Sequence, residues 1–314
     1  MSLNRKPPLP WNKILAASLA LNSLSSCSSE PDGPPPIESA GGGDPIAEGK
    51  AFLLQGDPAT ALARFTVALE MGKDPAQARW GRGKALLALG RAEEALPELD
   101  EAARKSPGEA KILHQLGVAR ARARDLAGAV EAYSRAIEAD PDFVEPLVDR
   151  SAALVELGRV REAIADCDAA LRLNPLDGPI LVNRGIFRSR LGDRTGGVAD
   201  WNEAIRAHPS FPGGWYSRGV DHGMHGEYGE AVADLTRALE LQPAHTAARQ
   251  SRAMARAALG EHEGAVEDLT EVIRRQPQSV DAYKLRAASL RRLGRSDEAD
   301  TDERRAREAE AGRR

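Results

Sequence analysis

Apolar side chains fall at Ala265, Val266, Leu269, Val272 and Ile273. Offsets of 0, 1, 4, 7 and 8 describe one face of an α-helix, so the pattern predicts a helix with a single apolar stripe. The phase returns along the chain. Pro107, Pro141, Pro175, Pro209, Pro243 and Pro277 are each 34 residues apart. Taking each proline as position 32 divides residues 42–313 into eight units of 34, with no insertion or deletion. Proline lacks a backbone donor and cannot continue a helix, so each unit ends there.

Three further positions set the shape of a unit. Position 8 reads Gly49, Gly83, Gly117, Ser151, Gly185, Gly219, Ala253 and Ala287, and position 20 is alanine in every unit except for Gly197. Small residues at two fixed places let two helices approach backbone to backbone. Position 15 is glycine in seven units and Arg124 in the third; glycine there supplies the left-handed residue that ends a helix. Each unit therefore reads as helix, turn, helix. At the start, Asp44 followed by Pro45 makes an N-cap and first-turn pair. The fold class expected is all-α, a solenoid of eight helix-turn-helix units.

These features resemble the tetratricopeptide repeat family: a 34-residue period, small residues at 8, 20 and 27, a larger apolar residue at 24 and proline at 32. The resemblance covers about 272 of 314 residues. It implies a right-handed superhelix whose first helices line a concave groove. Two departures stand out: Lys73 occupies position 32 of the first unit, and position 7 is mostly arginine instead of leucine. Cys167 falls at position 24, where the sister units place Phe65, Leu99, Tyr133, Trp201, Leu235 and Leu269, so it reads as filler of an apolar slot.

The position-7 arginines covary with position 23: Arg82 with Glu98, Arg150 with Asp166, Arg184 with Asp200, Arg218 with Asp234, Arg252 with Asp268, and Arg286 with Asp302. The first unit reverses the signs, Glu48 with Arg64, and the third drops both charges, Leu116 with Ala132. Pairing position 23 with the next unit's position 7 would set Arg64 against Arg82. The pattern therefore predicts structural bridges inside each unit.

Composition narrows the function. Aromatics are 4% of the chain and the formal charge is −4, with mixed signs and no long basic block, so the sequence gives no footprint for nucleic acid. Residues 1–27 differ from the rest. Arg5, Lys6 and Lys13 precede the apolar run Ile14–Leu24, which is too short to span a bilayer, and Leu24-Ser25-Ser26-Cys27 follows. This resembles a bacterial lipoprotein signal. The resemblance implies cleavage before Cys27, a lipid attached to its thiol, and an exported protein on the outer membrane facing the periplasm. Residues 28–43, rich in Pro, Gly and Ser, read as a disordered tether, and 44–313 as the solenoid.

The family groove is faced by positions 2, 5, 9, 12 and 13. Here these supply Trp80, Val148, Val182, Ile186, Arg190, Tyr216, Val220 and Met254 as candidate contacts for an apolar or amphipathic segment of a partner protein. The same small residues also suit packing between neighbouring first helices. A second reading uses Trp80 and Tyr216 as stacking platforms for a glycan. His222 and His225 lie three apart on one face, but two imidazoles without a third ligand do not make a metal site. No catalytic motif appears, and no cofactor is expected. The leading expectation is a lipid-anchored interaction scaffold whose partners are other proteins and, through the anchor, the membrane. In the last unit, Glu303 and Arg307 replace apolar residues, as a solvated end requires.

Overall fold

A computed structural model describes residues 43–312. Cys27, the leader and all of the tether except Gly43 lie outside the described residues. Sixteen helices, and no strand, occur among the described residues. They form two bodies that divide between Pro175 and Leu176.

The first body contains four hairpins: α1 (Pro45–Leu54) with α2 (Pro58–Glu70), α3 (Pro75–Ala88) with α4 (Ala92–Lys105), α5 (Ala110–Arg122) with α6 (Leu126–Ala139), and α7 (Val144–Glu156) with α8 (Val160–Leu173). The second repeats the plan: α9 (Gly178–Arg190) with α10 (Arg194–Ala207), α11 (Pro212–Met224) with α12 (Tyr228–Leu241), α13 (Thr246–Leu259) with α14 (His262–Arg275), and α15 (Val280–Arg292) with α16 (Ser296–Ala311). The eight hairpins coincide with the eight units of the sequence. All six period-setting prolines stand in the turns that follow second helices.

Side-chain size explains the hairpin. The large residue at position 24 is buried in the first seven hairpins, and it lies over the small residue at position 8. A β-carbon added to Gly83 would come within 2.5 Å of Leu99, and one added to Gly117 within 2.4 Å of Tyr133. Hairpin four has the smallest residue at position 24, Cys167, and it alone carries serine at position 8, Ser151. At position 20 the seven alanines are fully buried, and a methyl on Gly197 would meet the Gly185 carbonyl oxygen at 2.8 Å. At the turn, all seven position-15 glycines are left-handed, with φ between 74° and 87°. Arg124 takes the same conformation at φ 67°, so the exception lies in the residue and not in the backbone. One proline departs from the junction rule. Pro97 lies inside α4, where it removes one backbone donor without ending the helix.

Within each body, second helices pack on the next first helix, and first helices also touch one another in line: α1 with α3, α3 with α5, α5 with α7, and likewise α9, α11, α13 and α15. Within each body the first helices thus form a row.

Candidate functional site

The arginine positions form a ladder. Arg150 donates through Nε to Asp166 Oδ2 at 2.8 Å and through Nη2 to Oδ1 at 2.6 Å. The same two-pronged geometry recurs in Arg184–Asp200, Arg218–Asp234, Arg252–Asp268 and Arg286–Asp302, with every bond between 2.6 and 3.0 Å. All five aspartates are buried. The bond to Asp302 raises the Arg286 pKa, and that to Asp166 raises the Arg150 pKa. Hairpins one and two are looser, with Arg64 3.4 Å from Glu48 and Arg82 3.5 Å from Glu98, which Arg79 approaches more closely at 2.9 Å.

Two contacts of the ladder are not visible in the pairing of positions 7 and 23. The remaining guanidinium nitrogen reaches position 25 of the preceding hairpin: Arg150 to Ser134, Arg218 to Asn202, Arg252 to Thr236, and Arg286 to Thr270. Ser134 and Thr270 donate their own protons to the Val130 and Val266 carbonyls, which turns an oxygen lone pair toward the arginine. Position 11 adds a second cation, with Arg188 on Asp200 and Arg256 on Asp268, both at 3.0 Å. The signal was in the chain, as a hydroxyl or amide sixteen residues before the arginine. Recognising it requires knowing which helix packs on which. The arrangement fixes hairpin to hairpin; it presents no group for chemistry.

Hairpin six has His222 at position 11. Its Nδ1 donates to Glu227 at 2.5 Å, and Nε2 lies 3.7 Å from Asp234. Arg194, from α10, joins Asp221 at 2.8 Å and Glu227 at 2.9 and 2.5 Å. Arg194, with help from His222, holds the Glu227 pKa down at about 2. His225 Nδ1 donates to the Asp221 carbonyl at 2.8 Å. Both imidazoles thus serve local ion and hydrogen-bond pairing.

The expected groove contacts divide. Arg190 is exposed, and Trp80 and Val148 are half-buried. Val182, Ile186 and Val220 have no exposed surface, and Tyr216 and Met254 are buried. Tyr216, Val220 and Met254 belong to one apolar cluster with Leu235, Leu239 and Ala248, and the Tyr216 ring lies 4.5 Å from that of His245. An open apolar floor through hairpins five to seven is therefore not what these side chains make, and Tyr216 offers no stacking platform for a sugar. In the first body, Lys84 stands 5.1 Å over the Trp80 ring. Arg122 donates to the Leu87 carbonyl at 2.6 Å, and His114 pairs with Asp149 at 2.8 Å, its ring edge-on to Phe143.

A family model described as tetratricopeptide repeat matches residues 46–110, 114–178, 216–269 and 251–312. The chain belongs to the tetratricopeptide repeat family. This tetratricopeptide repeat protein is 33% identical over 88 residues to protein FlbA of Caulobacter vibrioides, a stretch covering 28% of the chain and 15% of FlbA. It is 35% identical over 104 residues to cellulose synthase operon protein C of Escherichia coli, covering 33% of the chain and 9% of that protein. The chain thus spans a small part of the length of these relatives. Among solved structures, a tetratricopeptide repeat protein from Parabacteroides merdae matches with a TM-score of 0.60 at 20% identity, over 75% of this chain and 93% of that one. PilW, described as a widely conserved type IV pilus biogenesis factor, matches with a TM-score of 0.56 at 22% identity, over 62% and 90%. These likenesses establish the fold.

Proposed function

We propose that this tetratricopeptide repeat protein is an exported, lipid-anchored scaffold on the outer membrane, facing the periplasm, that holds a segment of a partner protein along its inner helices and helps assemble an envelope complex. The observation that carries the reading is the direct contact of successive first helices within each body. Along these rows Trp80, Val148 and Arg190 keep solvent-facing surface, while the ladder of arginines fixes the spacing. The leader and Cys27 supply the anchoring half of the proposal. The names of two similar proteins, a cellulose synthase operon protein and a pilus biogenesis factor, are in keeping with the envelope half.

The test places a photo-crosslinking residue at Trp80, Val148 or Arg190 in the full chain, and at Glu131 on the second-helix side as a control. The reading expects one discrete partner captured from the inner positions and not from Glu131. Capture from Glu131 alone discards the inner-face reading. Lipid labelling that persists after Cys27→Ala discards the anchor.

A further inference from the structure

The second body has one junction built unlike the others, between hairpins five and six. Within the two bodies, every other second helix packs more extensively against the first helix that follows than α10 does against α11. The helix beyond this joint is intrinsically weak. Four of the thirteen residues of α11 are glycine, Gly213, Gly214, Gly219 and Gly223, where no other first helix has more than two, and glycine is the poorest helix former after proline. The ladder crosses here as it does elsewhere, through Arg218 and Asn202. What is particular to the joint is Arg194. This first residue of α10 bonds Asp221 of α11 and both carboxylate oxygens of Glu227, which precedes α12, and Ser189 adds a long bond to Asp221 at 3.5 Å. Asp221 is 1% exposed and stands at position 10, where five sister hairpins have alanine and the other two have Phe187 and Ser289. No other hairpin has arginine at position 17. Val182 and Ile186 on α9, and Tyr216 and Val220 on α11, lie on the two sides of this joint, and all four are buried.

We propose that hairpins five and six part at this joint, with Arg194 as the latch, and that the parted state is the one in which the second body takes up a partner segment. The proposal rests on the scaffold reading and deepens it, because it says how an inner side that is closed here is reached. A helix of low propensity that packs thinly on its neighbour opens at a lower free energy than the helices around it, so it separates as a local unit while the rest of the body stays folded. Hydrogen bonds weaken steeply once their geometry is lost. Arg194 supplies three charge-assisted bonds across the joint, so its release removes the strap in one step. Val182, Ile186, Tyr216 and Val220 then face an open cleft, the apolar surface that an amphipathic segment requires.

The experiment is hydrogen exchange of the full chain, read peptide by peptide by mass spectrometry, beside thiol labelling of a Val220→Cys variant. Amides of α11 are expected to exchange at least tenfold faster than those of α9 and α13. Arg194→Ala is expected to raise exchange in α11 and labelling at position 220 by at least a further tenfold, with Cys167, buried in the first body, as the unchanged internal control. Arg237→Ala, which removes an exposed pair with Glu240 on α12, leaves both as they were. Because Arg194→Ala strands the buried Asp221, the deciding variant is Arg194→Ala with Asp221→Ala, which gives the joint the alanines that hairpin two has at both positions. A latch predicts that exchange in α11 stays raised in this double variant, whereas a stranded charge alone predicts a return to the parent's protection. Protection of α11 equal to that of α9 and α13, or parental exchange in the double variant, overturns the proposal. If crosslinks from Trp80, Val148 or Arg190 to a partner survive such a failure, the joint is discarded and the scaffold reading stands; if the joint opens but no crosslink forms, the scaffold reading falls and takes the uptake half of the proposal with it.

Discussion

Trp201 lies directly over Gly185: a β-carbon at Gly185 would fall 2.5 Å from the indole nitrogen, which itself donates to the Val182 carbonyl at 3.3 Å. The buried indole leaves no room to retreat. Gly185→Ala is therefore expected to destabilise the second body by about 1–3 kcal/mol through overpacking, despite alanine's higher helix propensity. Urea unfolding followed by circular dichroism measures it. A variant as stable as the parent would show that the hairpin yields at that point.

The ladder makes a prediction about removing one partner. Asp234 is buried and takes two bonds from Arg218. Arg218→Ala strands that carboxylate and is expected to cost about 3 kcal/mol. Replacing Arg218 and Asp234 together with Met and Leu is expected to recover much of the loss, because the desolvation cost disappears with the charges. Coupling near zero in the cycle of Arg218→Met, Asp234→Leu and their double would remove the bridge as a structural device.

Arg124 adopts a left-handed backbone in the turn that glycine occupies in the other seven hairpins. Among the described residues its side chain pairs with the exposed Glu156, at 3.2 Å. An exposed pair of this kind contributes little, so Arg124→Gly is expected to stabilise by about 1 kcal/mol. Thermal melting of the pair of proteins decides the sign.

His245 gives a pH dependence with a definite direction. Its Nδ1 accepts from the Ala248 amide at 3.2 Å and so caps α13 only while unprotonated there. Burial against Tyr216 lowers its pKa below the ordinary 6.5. A base with a depressed folded pKa contributes stability that is fully present above 6.5 and is lost as pH falls through the lower folded value. Stability measured by denaturant between pH 7.5 and 5 is expected to decline, and His245→Asn, which keeps a capping acceptor but does not titrate, is expected to flatten that decline. An unchanged slope in the variant would assign the decline to other groups.

The period of 34 was enough to read the hairpins, their boundaries and the small-over-large contact, because each depends only on spacing along one unit. The pairing of positions 7 and 23 was legible for the same reason. Ser134, Asn202, Thr236 and Thr270 were not, since their role appears only when one hairpin is laid against the next. Tyr216 and Val220 show the opposite limit. Register places them on the inner side, but whether a side chain there meets solvent or its own neighbours depends on how closely Leu235, Ala248 and Met254 crowd it, and periodicity carries no such distance. Pro97 escaped because no other unit has a proline at its position, and inside α4 it costs one backbone donor without ending the helix.

The reach of each arginine to the hairpin before it gives the array a grain. Arg150, Arg218, Arg252 and Arg286 all complete their contacts with a neighbour that leaves the ribosome first, so a newly emerged hairpin finds its anchor already in place. Trimming hairpins from the C-terminal end strands none of the remaining guanidinium donors of this series, although Arg194, which reaches forward to Asp221 and Glu227, loses its partners when hairpin six goes. Trimming from the other end strands one at each cut through this series. Growth and loss of stability are therefore not mirror images in this chain, and nested truncations from its two ends should differ in how they fail.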